Sequence, residues 1–263
     1  MLNIQKYVRA QSLEEAYLLN QKRSNRIVGG MIWMKMNNGS VNTAIDLSDL
    51  GLDKIEETEN EFSIGAMVTL RALELHEGLN TYTDHAVENA VKDIIGVQFR
   101  NMATIGGSIW GRFGFSDVLT VFLSMDTYVE LYKGGILPLE QFASMKFDND
   151  ILVRIIVKKT PGTFLYNAMR AQRTDFPVIT CALSEVDGKY RAVIGARPGR
   201  AVVVHDTANI LSAGITEESA DAFCEHVTQN IRTGSNIRGS AEYRKHLIKV
   251  LTKRNLMKMG GIQ

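Results

Sequence analysis

Arg100-Asn101-Met102-Ala103-Thr104-Ile105-Gly106-Gly107-Ser108 is the stretch on which the reading of this chain turns. Two adjacent glycines follow a β-branched pair, and a small hydroxyl residue comes next. Glycine carries no Cβ, so its backbone reaches conformations and close approaches denied to other residues. A loop of this kind aims successive N–H groups into one concavity, which suits an anion. Thr104 and Ser108 add hydroxyl donors for phosphate oxygens. The same character recurs at Arg26-Ile27-Val28-Gly29-Gly30-Met31, an apolar strand running into a Gly-Gly turn. A lone Gly-Gly pair is most often an ordinary tight turn. Two of them, with β-branched or hydroxyl flanks in one mixed α/β region, read as two walls of a nucleotide pyrophosphate site.

The 263 residues exceed one typical domain, so two or three subdomains are expected. Hydrophobic residues make up 45% and charged residues 22%, the proportions of an ordinary globular protein with a real core. A formal net charge of +1, with no long run of one sign, argues against a nucleic-acid or membrane surface. No apolar stretch approaches the roughly 20 residues of a membrane span. No apolar signal core follows Lys6 and Arg9.

Cys181 and Cys224 are far apart and form no Cys-x-x-Cys pair. Two cysteines cannot hold a four-cysteine iron–sulphur cluster. Both read as buried small hydrophobes, which points to a reducing, cytoplasmic setting. The five histidines are isolated from one another and from cysteine, so no metal site is expected. There is no Gly-x-Gly-x-x-Gly fingerprint, no P-loop and no Gly-x-Ser-x-Gly elbow. If the chain is an enzyme, a cofactor carries the chemistry and the protein holds it in place.

Ser12-Leu13-Glu14-Glu15 fits a capping box for a helix through Leu18 and Leu19. With the strand into Gly29-Gly30 and another at Ala44–Leu47 it forms a small β-α-β-β unit. Between them runs the apolar stretch Met31–Met36. Asp53 to Asn60 reads as a surface connection. A strand at Phe62–Ala66 and a helix capped by Thr69 follow. A further helix carries Ala86, Ala90 and Ile94, and another begins at Ser116 or Asp117. Strands at Thr127–Tyr132 and Ile151–Val157 complete a mixed sheet with helices packed on it. Lys158-Lys159-Thr160-Pro161-Gly162 is the linker. Strands at Thr163–Met169, Val178–Glu185 and Tyr190–Gly195 lie beyond it, with a turn at Asp187-Gly188. Two helices capped by Thr216 and Ser240 follow. Tyr243, Leu247, Val250 and Leu251 are the apolar stripe of the second.

In order, these segments resemble the flavin subunit of the molybdenum hydroxylases, the family of xanthine dehydrogenase, carbon monoxide dehydrogenase and nicotinate dehydrogenase. The resemblance covers nearly all of the chain. Val28-Gly29-Gly30 resembles the first flavin loop, with Ile27, Met31 and Ile32 beside it, and Lys35 matches a lysine common in the family. Ile64-Gly65-Ala66 with Thr69 is similar to the family's Ile-Gly-Ala segment. Arg100-Asn101 followed by Ala103-Thr104-Ile105-Gly106-Gly107-Ser108 resembles Arg-Asn-x-Gly-Thr-Ile-Gly-Gly-Asn. Asp117 stands where the family has an aspartate near the flavin's ribityl chain. Leu152 falls where a residue borders the isoalloxazine ring. Ile237-Arg238-Gly239-Ser240-Ala241-Glu242-Tyr243-Arg244 resembles the start of the C-terminal helix.

The resemblance implies an α+β fold: a two-subdomain FAD-binding module of the PCMH type, then a C-terminal α/β domain of the CO dehydrogenase flavoprotein type. The implied boundaries are 1–52, 53–160 and 161–263. The implied cofactor is FAD, with no catalytic side chain of the chain's own. The implied partners are a molybdopterin-containing large subunit and a small iron–sulphur subunit, with NAD as acceptor. Three departures stand out. Met31-Ile32-Trp33 replaces polar residues of the first loop, Ala103 and Ser108 replace Gly and Asn, and Asn167 lies where many members have a lysine near the flavin. The first departure motivates a rival reading as a flavin-free scaffold subunit. A stand-alone flavin oxidase of related fold is the other rival, disfavoured because no acid–base group for a substrate is evident.

Overall fold

The structure, a computed structural model, describes residues 1–262. Its strands are β1 (Asn3–Arg9), β2 (Arg26–Val28), β3 (Ser40–Asp46), β4 (Ile55–Glu57), β5 (Glu61–Gly65), β6 (Thr127–Leu131), β7 (Gly135–Pro138), β8 (Leu152–Lys158), β9 (Gly162–Arg170), β10 (Pro177–Val186), β11 (Lys189–Gly195) and β12 (Val202–His205). Its helices are α1 (Leu13–Asn20), α2 (Leu70–Leu75), α3 (Glu77–Tyr82), α4 (Ala86–Val91), α5 (Val97–Arg100), α6 (Ile105–Gly111), α7 (Asp117–Leu123), α8 (Leu139–Ser144), α9 (Glu217–Asn230) and α10 (Ala241–Met259). Two compact units share them. The first holds Met1–Leu73, Val97–Gly111 and Thr127–Val157; the second holds Glu74–Gly96, Arg112–Asp126 and the chain from Lys158 onward.

In the first unit, β1, β3 and β2 form a parallel sheet in that order. Parallel neighbours need a crossover, and α1 supplies it. Ser12 Oγ accepts from the Glu15 N–H at 3.1 Å, while the Glu15 carboxylate reaches one residue further back, to the Gln11 N–H at 2.8 Å. That satisfies two donors at the start of α1. Ala16 is fully buried with Ala10, Ile45, Leu47 and Ile151. The second sheet runs β4-β5-β8-β6-β7. Alternate residues Phe62, Ile64, Ile155, Val157 and Val129 point into its core. The expected surface connection at 53–60 contains β4, a short acidic edge strand, which discourages pairing with other chains.

The deciding stretch is not the loop its glycines predict. Thr104 precedes α6, and Gly106 and Gly107 lie in the first turn of that helix. Neither has a positive φ. The absence of a Cβ at these positions answers to what surrounds them and not to backbone strain.

In the second unit, β12, β11, β10 and β9 form an antiparallel sheet. Asp187 and Gly188 both take left-handed φ, 51° and 71°, as the tight β10–β11 turn requires. Helices α9 and α10 cover the sheet around Phe223, Val227, Leu247 and Leu251. Thr216 and Ser219 cap α9 reciprocally, and Ser240 caps α10. The expected stripe on α10 needs correction. Tyr243 is 45% exposed, whereas Arg244 and Asn255 are buried, because each finds oxygen, nitrogen or sulphur partners inside the unit. Cys181 and Cys224 are free and buried. The chain leaves β8 at Lys158 and enters β9 at Gly162, on either side of the predicted linker. No helix among the described residues is long and apolar enough to cross a membrane.

Candidate functional site

The first unit contains a cavity of about 580 Å³ at the end of β2, the start of α6 and the start of β8. That volume lies within the range of small-molecule sites. The chain arrives along β2 with Asn25 buried and its amide nitrogen donating to Leu19 O at 2.7 Å. Ile27, Val28 and Gly29 then form one wall, Thr104, Gly106 and Gly107 a second, and Ile151 and Leu152 a third.

The glycines of these walls differ in what they do. A Cβ on Gly30 would run into the Met102 carbonyl, and one on Gly106 into the Ala66 carbonyl; both are backbone oxygens with no freedom to yield. A Cβ on Gly29 would sit 2.7 Å from Thr104 Oγ1. Gly29 and Gly30 let the first wall close on the second, and Gly106 lets the second pack against the segment at Ala66. At Gly107 a Cβ would meet only Thr104 Oγ1, at 3.3 Å, and that residue also lines the cavity. The volume left by the missing side chain at Gly107 belongs to the cavity.

The backbone donors of the second wall are already used. Ile105 N–H donates to Val68 O and Gly106 N–H to Ala66 O, each at 2.9 Å. Gly107 N–H donates to Thr104 Oγ1 and Ser108 N–H to Thr104 O, each at 3.1 Å. The Ser108 hydroxyl donates to Thr104 O as well. The expected cup of free N–H groups and a free Ser108 hydroxyl is therefore absent here: helix capping and a bridge to the 66–68 segment consume them. The Thr104 hydroxyl accepts from Gly107 and keeps its own proton to donate.

Of the residues singled out from the sequence, Ile27, Val28, Gly29, Thr104, Gly106, Gly107 and Leu152 line the cavity. Gly30, Met31, Ile32, Ala103, Ile105 and Ser108 do not line it. Met31 takes a left-handed φ of 56°, turning the chain out of β2 toward a short 3₁₀ turn at Met34–Met36. Trp33 packs edge-on against Phe99. Ala103 O accepts from Leu70 N–H, and Ile105 is fully buried.

Asp117 belongs to the second unit and is 5% exposed. Its Oδ1 accepts from the Tyr166 hydroxyl and pairs with the Arg170 guanidinium at 2.5 Å. Burial pushes its carboxyl up to about 6, with Arg170 pulling the other way. The same burial, reinforced by the Asp117 charge, holds the Tyr166 phenol well above its ordinary value. Asn167, where the family has a lysine, donates to the Asn255 side chain of α10.

Sequence reasoning missed the polar part of the cavity: Asn20, Arg23, Asn25 and the Asp148-Asn149-Asp150 turn. The Asp150 carboxylate accepts from the N–H groups of Lys133, Gly134 and Ile151 at 3.1, 2.8 and 2.7 Å. That fixes the turn from which β8 starts. Three consecutive Asx residues before a β-branched strand were the available signal.

Residues 2–159 match the family described as FAD binding domain in molybdopterin dehydrogenase, and residues 164–259 match the CO dehydrogenase flavoprotein C-terminal domain. The YgfM protein of Escherichia coli is 26% identical over 94% of this chain and 93% of its own. The xanthine dehydrogenase FAD-binding subunit of Escherichia coli O157:H7 is 25% identical over 97% of this chain and 95% of its own. The fold is that of the reconstituted CO dehydrogenase from Oligotropha carboxidovorans, with a TM-score of 0.86 at 20% identity over 98% of both chains. The chain thus belongs to the family of FAD-binding domains of molybdopterin dehydrogenases, as an oxidoreductase flavoprotein subunit whose cofactor is FAD.

Proposed function

We propose that this chain is the electron-transfer flavoprotein of a xanthine-dehydrogenase-like molybdenum hydroxylase. In this reading a large partner subunit holds molybdopterin and a small one holds iron–sulphur clusters, and electrons leave to NAD. Bound FAD supplies the redox chemistry that no side chain here provides. The observation that carries the reading is Gly107, a position where the chain leaves room for a side chain and fills it with none, at the wall of a cavity inside the matched region.

Within that reading Gly29 and Gly107 keep the walls bare beside the phosphates, and the Thr104 hydroxyl donates to them. Leu152 and Val28 give apolar contact to a ring. Gly30 acts one step removed by letting the first wall approach Met102, and Ala103, Ile105 and Gly106 by holding the second wall on the 66–70 segment; Met31 and Ile32 turn the chain out of β2, and Ser108 secures the start of α6 through Thr104 O. Asp117 orients its own unit through Arg170. The subdomain limits at 52 and 160 and a cytoplasmic location belong to the same proposal.

Purification of a tagged chain from its native host tests the reading. The expected result is a flavin absorbance band near ~450 nm together with a molybdenum-containing chain and an iron–sulphur chain. A flavin-free chain that stays flavin-free after reconstitution, or full substrate oxidation by the isolated chain, would overturn it.

A further inference from the structure

The second unit carries a rigid, positively charged loop pair that the flavin chemistry does not use. Loops 197–200 and 232–240 contain Arg197, Arg200, Arg232 and Arg238 and no acidic residue. Beneath them lies Arg244, only 1% exposed. Its guanidinium is held by four neutral oxygens: Val178 O at 2.9 Å, Gly234 O at 2.7 Å, Gly239 O at 2.5 Å and Asn236 Oδ1 at 2.6 Å. Among the described residues no carboxylate pairs with Arg197, Arg232 or Arg244. Arg197 donates to Arg200 O and Arg232 O at 2.8 and 2.9 Å, which ties the two loops together.

The tip of the second loop is Ile237, 96% exposed. It is not a loose end. Asn236 and Gly239 exchange backbone hydrogen bonds across it, both at 3.1 Å, and Arg238 N–H donates to Asn236 Oδ1 at 2.9 Å. Arg238 lies over the Phe176 ring at 4.8 Å, with Asp175 at 3.5 Å. A single exposed apolar side chain needs no explanation on its own. Here it stands on a turn ordered from below by a buried cation, with Arg238 next to it and Arg232 on the same loop.

We propose that Ile237 and the arginines of its loop dock a partner protein whose surface carries an apolar socket rimmed by aspartate and glutamate. Preorganised apolar anchors and arginines are what tight interfaces use, since little freedom is lost on binding. Arg197 and Arg232, which pair with no carboxylate among the described residues, sit on loops that carry no acidic residue, and that charge selects an acidic partner. A phosphate-bearing ligand would use the arginines but leave Ile237 in water, so a protein fits better. The proposal rests on the reading of this chain as one subunit of a complex.

The test places p-benzoyl-phenylalanine at position 237 of the tagged full chain in its native host. Irradiation of the purified complex should give an adduct with a different chain, at a peptide rich in Asp or Glu. Ile237→Asp and Arg232→Glu should each lower recovery of that chain at least about tenfold while keeping the wild-type flavin band, which reports a folded flavin unit. An unchanged circular dichroism spectrum and Tm for each variant report the second unit. Full recovery with both variants, an adduct with a second copy of this chain, or an adduct with nucleic acid would overturn the docking surface alone. A wild-type chain that recovers no partner would overturn the subunit reading, and the docking surface with it.

Discussion

Gly106-Gly107 in the first unit and Asp117 in the second both have the look of ligand-binding positions in the sequence, yet the fold uses them in opposite ways. At the glycine corner the protein withholds side chains, and at Gly107 the space so left stays open. At Asp117 the protein supplies partners of its own: Tyr166 and Arg170 both hold Oδ1, and the residue is buried. The difference teaches that a residue type suited to a ligand can also be engaged by the chain's own groups.

Breaking the Asp117 cluster is expected to have the largest effect. Arg170→Met leaves a buried carboxylate facing only a phenol, and it should cost about 3–5 kcal/mol at pH 8 by urea unfolding. The sign with pH follows from the carboxyl itself. Its folded value, about 6, lies above the ordinary 3.8, so its contribution to stability is present below pH 3.8 and is lost as pH rises through about 6. Losing Arg170 raises the folded value further. The penalty of the variant should shrink at pH 5, and a penalty that grows there would show that the pair is not what holds the cluster.

Gly106→Ala comes next. A methyl against the Ala66 carbonyl is an overpacking error of roughly 1–3 kcal/mol, felt by the first unit with or without FAD. Equal stability of the variant and the wild type in the flavin-free protein would mean that α6 does not pack against the Ala66 carbonyl at Gly106. Thr104→Val removes the acceptor for the Gly107 N–H and should lower stability by about 1 kcal/mol, the cost of a lost helix cap. An unchanged Tm would argue that the hydroxyl matters only to the ligand.

Gly107→Ala sharpens the comparison most, although its effect on folding is the smallest. Alanine is preferred to glycine inside a helix by about 0.5–1 kcal/mol, which offsets the tight contact of its Cβ with Thr104 Oγ1, so the flavin-free variant should stay within about 1 kcal/mol of the wild type. FAD binding should weaken by at least about tenfold, since the new methyl takes cavity volume. Full FAD occupancy in this variant would remove Gly107 from the site.

Much of the architecture was legible in the sequence because it is set by short-range chemistry. Ser12, Thr69, Ser116, Thr216 and Ser240 each precede a helix, and a side-chain oxygen near the first N–H groups is rewarded whatever the rest of the chain does. The β-branched runs at 151–157 and 178–185 are strands for equally local reasons. The family was legible from the ordered set of motifs.

What only the tertiary structure decided is which groups are spent. Gly106 and Gly107 are chemically identical in the sequence, and their difference comes from a carbonyl of Ala66, forty residues away. The donors of residues 105–108 are consumed by Val68, Ala66 and Thr104, so a stretch that reads as an open anion cup is a capped helix start. The Asx run at 148–150 marks a turn, but nothing in the sequence joins it to the polar residues from Asn20 to Asn25, because the two lie over a hundred residues apart and meet only where β8 starts beside the first sheet. Sequence fixes what each residue can donate, accept or exclude; the fold decides whether anything is left to bind.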